Sequence, residues 1–190
     1  GIPAAYALAR MKFKGKKIFL GIVIISQMFA PVVLLVGIYK IMSTFGMTDS
    51  LVGLVFINAA FNQAFAIWLL RGTFLSISPE MEQAATIDGC SKYQIYSRII
   101  LPLMKPSIVT TVIIQFYWKW DDYMGPLLYL SRPQSYTVSI AIKLFADSAS
   151  TTDYGAMFAM STLSLIPVFL IFLFFNRYLV QGIGTSGLKG

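Results

Sequence analysis

Three uncharged apolar stretches constrain this chain more than anything else in it: Ile18 to Tyr39, Leu51 to Leu70, and Gly155 to Phe175. At about 1.5 Å per residue, each is long enough to cross about 30 Å of hydrocarbon as a helix. A helix satisfies its own backbone hydrogen bonds in lipid, so the stretches read as membrane spans and the fold class as all-α. A fourth stretch, Ser107 to Leu130, has the length but carries Lys119, Asp121 and Asp122 in its second half; it too is read as a span. Composition agrees, since 57% hydrophobic and 12% charged residues with a mean hydropathy of +0.72 lie well outside the soluble range. The opening Gly1 to Ala9 is too short to cross and lacks the basic region and cleavage site of a signal peptide. It reads as the end of a truncated span.

Basic residues orient the spans, because Lys and Arg accumulate on the cytoplasmic side. Arg10, Lys12, Lys14, Lys16 and Lys17 precede the first full span, Arg71, Lys92, Arg98 and Lys105 follow the second, and Arg177 and Lys189 follow the last. These segments, including the Arg71 to Pro106 loop and the C-terminus, are expected inside. Lys40, Arg132 and Lys143 fall in the sparsely charged segments expected outside. The formal charge of +7 therefore reflects topology, and the charges form no continuous stripe of the kind that binds nucleic acid. One cysteine, Cys90, and no histidine leave no basis for a disulfide framework, a thiolate metal site or histidine catalysis.

The most patterned polar segment is the Arg71 to Pro106 loop. Ser78-Pro79-Glu80 offers a capping residue, a proline at the first helical position and an acid in the first turn. Asp88-Gly89 then supplies a helix stop, Ser91-Lys92-Tyr93-Gln94 a capping box for a second short helix, and Pro102 and Pro106 an end or kink. Two short helices joined at a glycine form a compact knob suited to a partner's cleft. The same hairpin also suits a plain connector or an interfacial anchor.

Within that loop, Glu82-Gln83-Ala84-Ala85, Ile87-Asp88-Gly89 and Ile99-Ile100-Leu101-Pro102 resemble, at matching spacing, the EAA loop of ABC importer permeases. Gln83 departs from the usual glutamate, and Glu82 keeps a carboxylate beside it. The resemblance extends to the carbohydrate, maltose-type branch. It includes Ala4-Ala5-Tyr6-Ala7-Leu8-Ala9-Arg10 with Phe13-Lys14-Gly15, and Trp120-Asp121-Asp122-Tyr123 ahead of Pro126-Leu127-Leu128. Asn176-Arg177-Tyr178-Leu179-Val180 and Gly187-Leu188-Lys189-Gly190 resemble the family's closing segment. Such permeases have six spans, so the chain is expected to be one permease domain, 1–190, lacking its first span and most of its second. Residues 78–102 would be the coupling loop within it.

The resemblance implies a polytopic helix bundle in a bacterial or archaeal plasma membrane, with a second permease subunit, an ABC ATPase dimer and an extracytoplasmic solute-binding protein as partners. A sugar-like solute would be the cargo, and no cofactor is implied. No G-x-x-x-x-G-K-S/T phosphate loop occurs, so the nucleotide is expected on another chain. The expected ATPase-coupling residues are Glu82, Gln83, Ala84, Ala85, Asp88, Gly89, Leu101 and Pro102. The expected solute pathway is Gln115 to Pro126, with Gln115, Lys119, Trp120, Asp121, Asp122 and Tyr123 as its chemistry-bearing residues. Lys119 lies roughly 18 Å along a helix from Ser107, inside the hydrocarbon, where an ion is costly and a pair with Asp122 three residues on is favoured. Trp120 and Tyr123 offer flat faces with polar edges that suit a sugar. These ions and aromatics also fit a membrane-interface belt. The competing functions are a permease for another small polar solute, an ion-coupled transporter or channel using the intramembrane charges, and, least, a membrane enzyme. Gln181 to Gly190, rich in glycine and without an apolar stripe, is expected not to fold alone but to order on a partner.

Overall fold

The computed structural model describes residues 1–147 and 154–187, and among them it is helical with no strand. The helices are α1 (Ile2–Arg10), α2 (Lys16–Met28), α3 (Pro31–Thr44), α4 (Leu51–Ser76) and α5 (Pro79–Ile87). Then come α6 (Lys92–Leu103), α7 (Lys105–Trp120), α8 (Met124–Tyr129), α9 (Val138–Asp147) and α10 (Tyr154–Gly187). α4 and the Tyr154–Tyr178 part of α10 are long and apolar enough to cross a membrane by themselves. α2 with α3, and α6 with α7, qualify only as broken pairs.

Prolines account for the breaks. The stretch from Ile18 to Tyr39, expected as one span, is interrupted at Pro31, which has no N–H to donate and opens α3 at its first position. Ala30 before it is extended, with φ −62° and ψ 126°, as a residue preceding proline prefers. The expected span from Ser107 to Leu130 is likewise two helices. Pro126 would remove a hydrogen bond and clash with the carbonyl four residues back in a continuous helix, and the chain leaves helical geometry between Trp120 and Met124. Between α6 and α7 the axis bends by 64°, beside Pro102 and Pro106. α4 runs on to Ser76, so Arg71 belongs to a helix rather than opening the loop. α10 continues to Gly187, so Gln181 to Gly187, expected to be unable to fold alone, has helical backbone; 188–190 lie outside the described residues.

The chain divides into two compact units. Gly1–Ser26, Gln63–Ile114 and the chain from Phe174 make one, centred on Ala5, Ala9, Leu70, Phe74, Ala85, Ile95, Ile100 and Met104. Gln27–Asn62 and Gln115–Leu173 make the other, with Met42, Leu54, Tyr129 and Leu130 packed together. Outside these clusters large apolar side chains stand exposed along α2, α3, α4 and α10, among them Ile18, Val33, Val36, Phe56, Phe158 and Phe174. So many exposed large apolar side chains are untenable in water and natural against lipid or another span.

Candidate functional site

The loop hairpin forms as its capping residues dictate. Ser78 caps α5, its side chain accepting from the Glu80 N–H at 3.3 Å, with Pro79 at the first position. α5 ends in a Schellman turn. The Gly89 N–H donates to the Thr86 carbonyl at 3.1 Å, and the Cys90 N–H to Ala85 at 3.0 Å. Gly89 sits at φ +82°, which an L side chain resists. Ser91 and Gln94 then exchange both bonds of a capping box, at 2.8 and 3.3 Å. One feature has no sequence signal of this kind: α6 widens into a π-helical turn over Ile95–Ile100, where the Leu101 N–H reaches back to the Tyr96 carbonyl. That wider turn comes just before Pro102, which cannot donate.

The expected coupling residues divide between two faces. Gln83, Ala84, Asp88 and Gly89 are exposed, as is Pro102, while Leu101 is half-buried. Ala85 is buried in the core against α4 and α6, so its small size serves packing within the chain rather than approach of a partner. Glu82 also turns inward: its Oε1 lies 2.9 Å from Arg10 Nε, with the two side chains only 21% and 14% exposed. Tyr6 donates its hydroxyl to Glu82 Oε2 at 3.4 Å. A groove of about 1030 Å³ runs beside this pair, lined among others by Lys12, Gln83, Thr86, Lys92 and Tyr93. Ile87 is 86% exposed and Tyr93 76%, the most exposed of the large apolar side chains on the hairpin. Neither is among the expected coupling residues, although an isoleucine at the last position of a loop helix is a visible signal.

In the other unit, Lys119 Nζ and Asp122 Oδ2 pair at 2.9 Å, as their spacing suggested. Asp122 has a second task, accepting from the Gly125 N–H at 3.2 Å and so holding the first turn of α8 after the break. Asp121 is exposed and Tyr123 half-buried. Trp120 stacks on Phe116 at 5.3 Å and 27°. Its indole N–H donates to the Ser164 carbonyl at 3.2 Å. Gln115 Nε2 donates to the Asn62 carbonyl at 3.3 Å. These polar groups are thus partly committed within the chain.

A second polar knot in this unit joins residues more than 80 positions apart. Asp49, at φ +56°, accepts the Ser131 and Arg132 N–H groups at 2.9 and 3.1 Å on Oδ1. Its Oδ2 lies 2.6 Å from Arg132 Nε. The Ser131 amide above all, with Arg132, holds the Asp49 carboxyl below the usual carboxylate range against the opposing effect of desolvation. Its own N–H donates to the Tyr129 carbonyl at 2.9 Å, so the α3–α4 turn and the end of α8 are tied together.

Broken and continuous apolar helices, with a capped polar hairpin carrying the EAA pattern, define a polytopic transport protein of the importer-permease class. Residues 1–185 match the binding-protein-dependent transport system inner membrane component family, and the chain belongs to it. It is 36% identical over 187 residues to a probable ABC transporter permease protein of Bacillus subtilis, covering 98% of this chain and 62% of that protein. It is 30% identical over 187 residues to the trehalose/maltose transport system permease protein of Thermococcus litoralis, covering 98% of this chain and 67% of that one. To the diacetylchitobiose uptake system permease protein of Streptomyces coelicolor it is 31% identical over 189 residues, covering 100% of this chain and 68% of that one. The chain therefore spans 62 to 68% of these relatives' lengths. Proteins of this kind are transport components rather than enzymes.

Proposed function

We propose that this chain is the pathway-forming part of a permease subunit that works with a separate ABC ATPase and a solute-binding protein to import a sugar or related solute. The observation that carries the ATPase reading is the hairpin, which presents Gln83, Ala84, Asp88 and Gly89 together with exposed Ile87 and Tyr93. An isoleucine and a tyrosine left in water on a rigidly capped turn suit insertion into a cleft, where their burial contributes. The basic residues flanking the hairpin, Arg71, Lys92, Arg98 and Lys105, support a cytoplasmic location, on the side where ATP is available. The EAA pattern and the names of the relatives support the same reading, and the two relatives named for a sugar favour a sugar as cargo. For the pathway, the stacked Phe116–Trp120 pair next to the Lys119–Asp122 ion pair supplies apolar faces beside fixed charge.

The test is site-specific capture. A photo-crosslinking residue at position 87, in the full-length permease co-expressed with its ATPase, should form an adduct with the ATPase chain. The same residue at Val36, an exposed position on α3, should not. Equal capture at both positions, or none at 87 in an assembled complex, would remove the hairpin from the ATPase contact.

A further inference from the structure

We infer that Arg10, Tyr6 and Glu82 form a directional linkage that carries movement of the coupling hairpin into α1, an inference that rests on the ATPase-coupling role proposed for the hairpin. The buried residues that α1 gives to the core it shares with the hairpin and α4 are both small, Ala5 and Ala9 set among Leu70, Phe74 and Ala85, with Ile2 and Tyr6 packed at its edge. Methyl groups interdigitate little, and surfaces built from them permit the small sliding by which packed helices shear. Such a contact gives adhesion without fixing direction.

The polar contacts fix it. Arg10 sits at the last position of α1 and Glu82 in the first turn of α5, and their side chains meet at 2.9 Å, mostly shielded from water. Both facing atoms, Arg10 Nε and Glu82 Oε1, are buried and make no aligned hydrogen bond elsewhere, so each depends on the other's charge. Arg10 Nη2 donates to the Ile77 carbonyl in the two-residue link between α4 and α5, so one guanidinium grips both the link and the helix beyond it. Tyr6, one turn earlier on the same face of α1, reaches the other carboxylate oxygen. Its ring lies against Phe74 and Tyr96, with centroids 5.5 and 4.9 Å away, and so touches α4 and α6 as well. Arg71 Nε donates to the Leu8 carbonyl at 3.4 Å, adding a tie between α4 and the backbone of α1.

A planar guanidinium bridging a carbonyl and a carboxylate resists sliding in its plane far better than an alanine seam does. A push on α5 by a partner is then delivered to the end of α1 rather than absorbed at the interface. Arg10, Tyr6 and Glu82 are positioning residues in this role, and none needs to touch solute or nucleotide.

Single neutralisation leaves one buried charge uncompensated and threatens folding, so the decisive variant removes both charges: Arg10→Gln with Glu82→Gln. It is assembled in the full-length permease with its ATPase and binding protein in proteoliposomes, and solute imported per ATP hydrolysed is compared with wild type. Expected is normal assembly and ATP hydrolysis with about a tenfold fall in solute per ATP, partly restored when Arg10 is replaced by Lys and Glu82 is kept. An unchanged ratio in the assembled double variant overturns the linkage. Absence of ATP-dependent uptake by wild type would instead refute the proposed function. The linkage is then decided by a readout that needs no transport: a fluorophore on Cys90, with any cysteine elsewhere in the full-length permease replaced, should show lower anisotropy in the double variant. Unchanged anisotropy also overturns it.

Discussion

Substituting Gly89 isolates the backbone contribution to the hairpin turn. At φ +82° this residue occupies the left-handed region. A Cβ built there meets nothing within 4 Å. Gly89→Ala therefore adds no clash, and its cost is conformational, about 1 to 2 kcal/mol for an L-residue in that region. A change of that size raises the population of the opened turn about 5- to 30-fold. Asn tolerates the left-handed conformation, so Gly89→Asn should cost less than Ala. Cys90 is a convenient reporter, because its N–H closes the turn onto Ala85 and its side chain packs against the core cluster. Where maleimide reaches the thiol through opening of the turn, the labelling rate follows the opened population. Labelling should accelerate by the same 5- to 30-fold range in Gly89→Ala and by less in Gly89→Asn. A native rate in the Ala variant would show that Gly89 is not needed for its left-handed geometry.

Three further outcomes are expected. Gly53→Ala would set a Cβ 2.4 Å from the Met47 carbonyl oxygen and 2.6 Å from Met42 Cε; a backbone carbonyl cannot swing away, so overpacking should cost about 1 to 3 kcal/mol. Thermal inactivation in detergent should begin at a lower temperature, and an unchanged midpoint would contradict the close approach of the α3–α4 turn to the start of α4. The depressed Asp49 carboxyl stabilises the folded state above its ordinary unfolded pKa, and that contribution is lost as pH falls through the lower folded value. Hydrogen-exchange protection of the Ser131 and Arg132 amides should therefore drop on the acid side in wild type. It should be pH-insensitive there in Asp49→Asn, and identical profiles would dismiss the clasp. In transport assays Asp121→Asn, at an exposed position, should retain uptake, whereas Trp120→Ala should impair it in an assembled complex; normal uptake by Trp120→Ala would take this segment out of the pathway.

The local features were legible in the residues themselves. Ser78-Pro79, Asp88-Gly89 and the Ser91–Gln94 box each act within a few positions of chain, and the structure forms the caps where those residues call for them. The Lys119–Asp122 pair was legible for the same reason, being three residues apart, one in the last turn of α7 and the other in the break after it. Pro31 and Pro126 are legible too, but apolar sequence continues on both sides of each, so hydropathy alone runs a span through breaks that an absent N–H enforces. What could not be read is tertiary. Glu82 looks like an outward-facing charge until Arg10, 72 positions earlier, is brought to it by the packing of α1. Asp49 gives no hint of its partners at 131 and 132. Likewise, Ala84 and Ala85 are identical in sequence, and only the helical rotation set by α5's packing makes one exposed and the other core.

The most direct test of ATP-driven import is uptake by the full-length permease, its partner permease and its ATPase in sealed proteoliposomes, with binding protein and labelled sugar outside and no ion gradient imposed. Uptake is expected only when ATP is trapped on the ATPase side and binding protein is present. It should disappear when the ATPase is inactivated. Uptake driven by an imposed proton or cation gradient without ATP would contradict the account and favour an ion-coupled carrier.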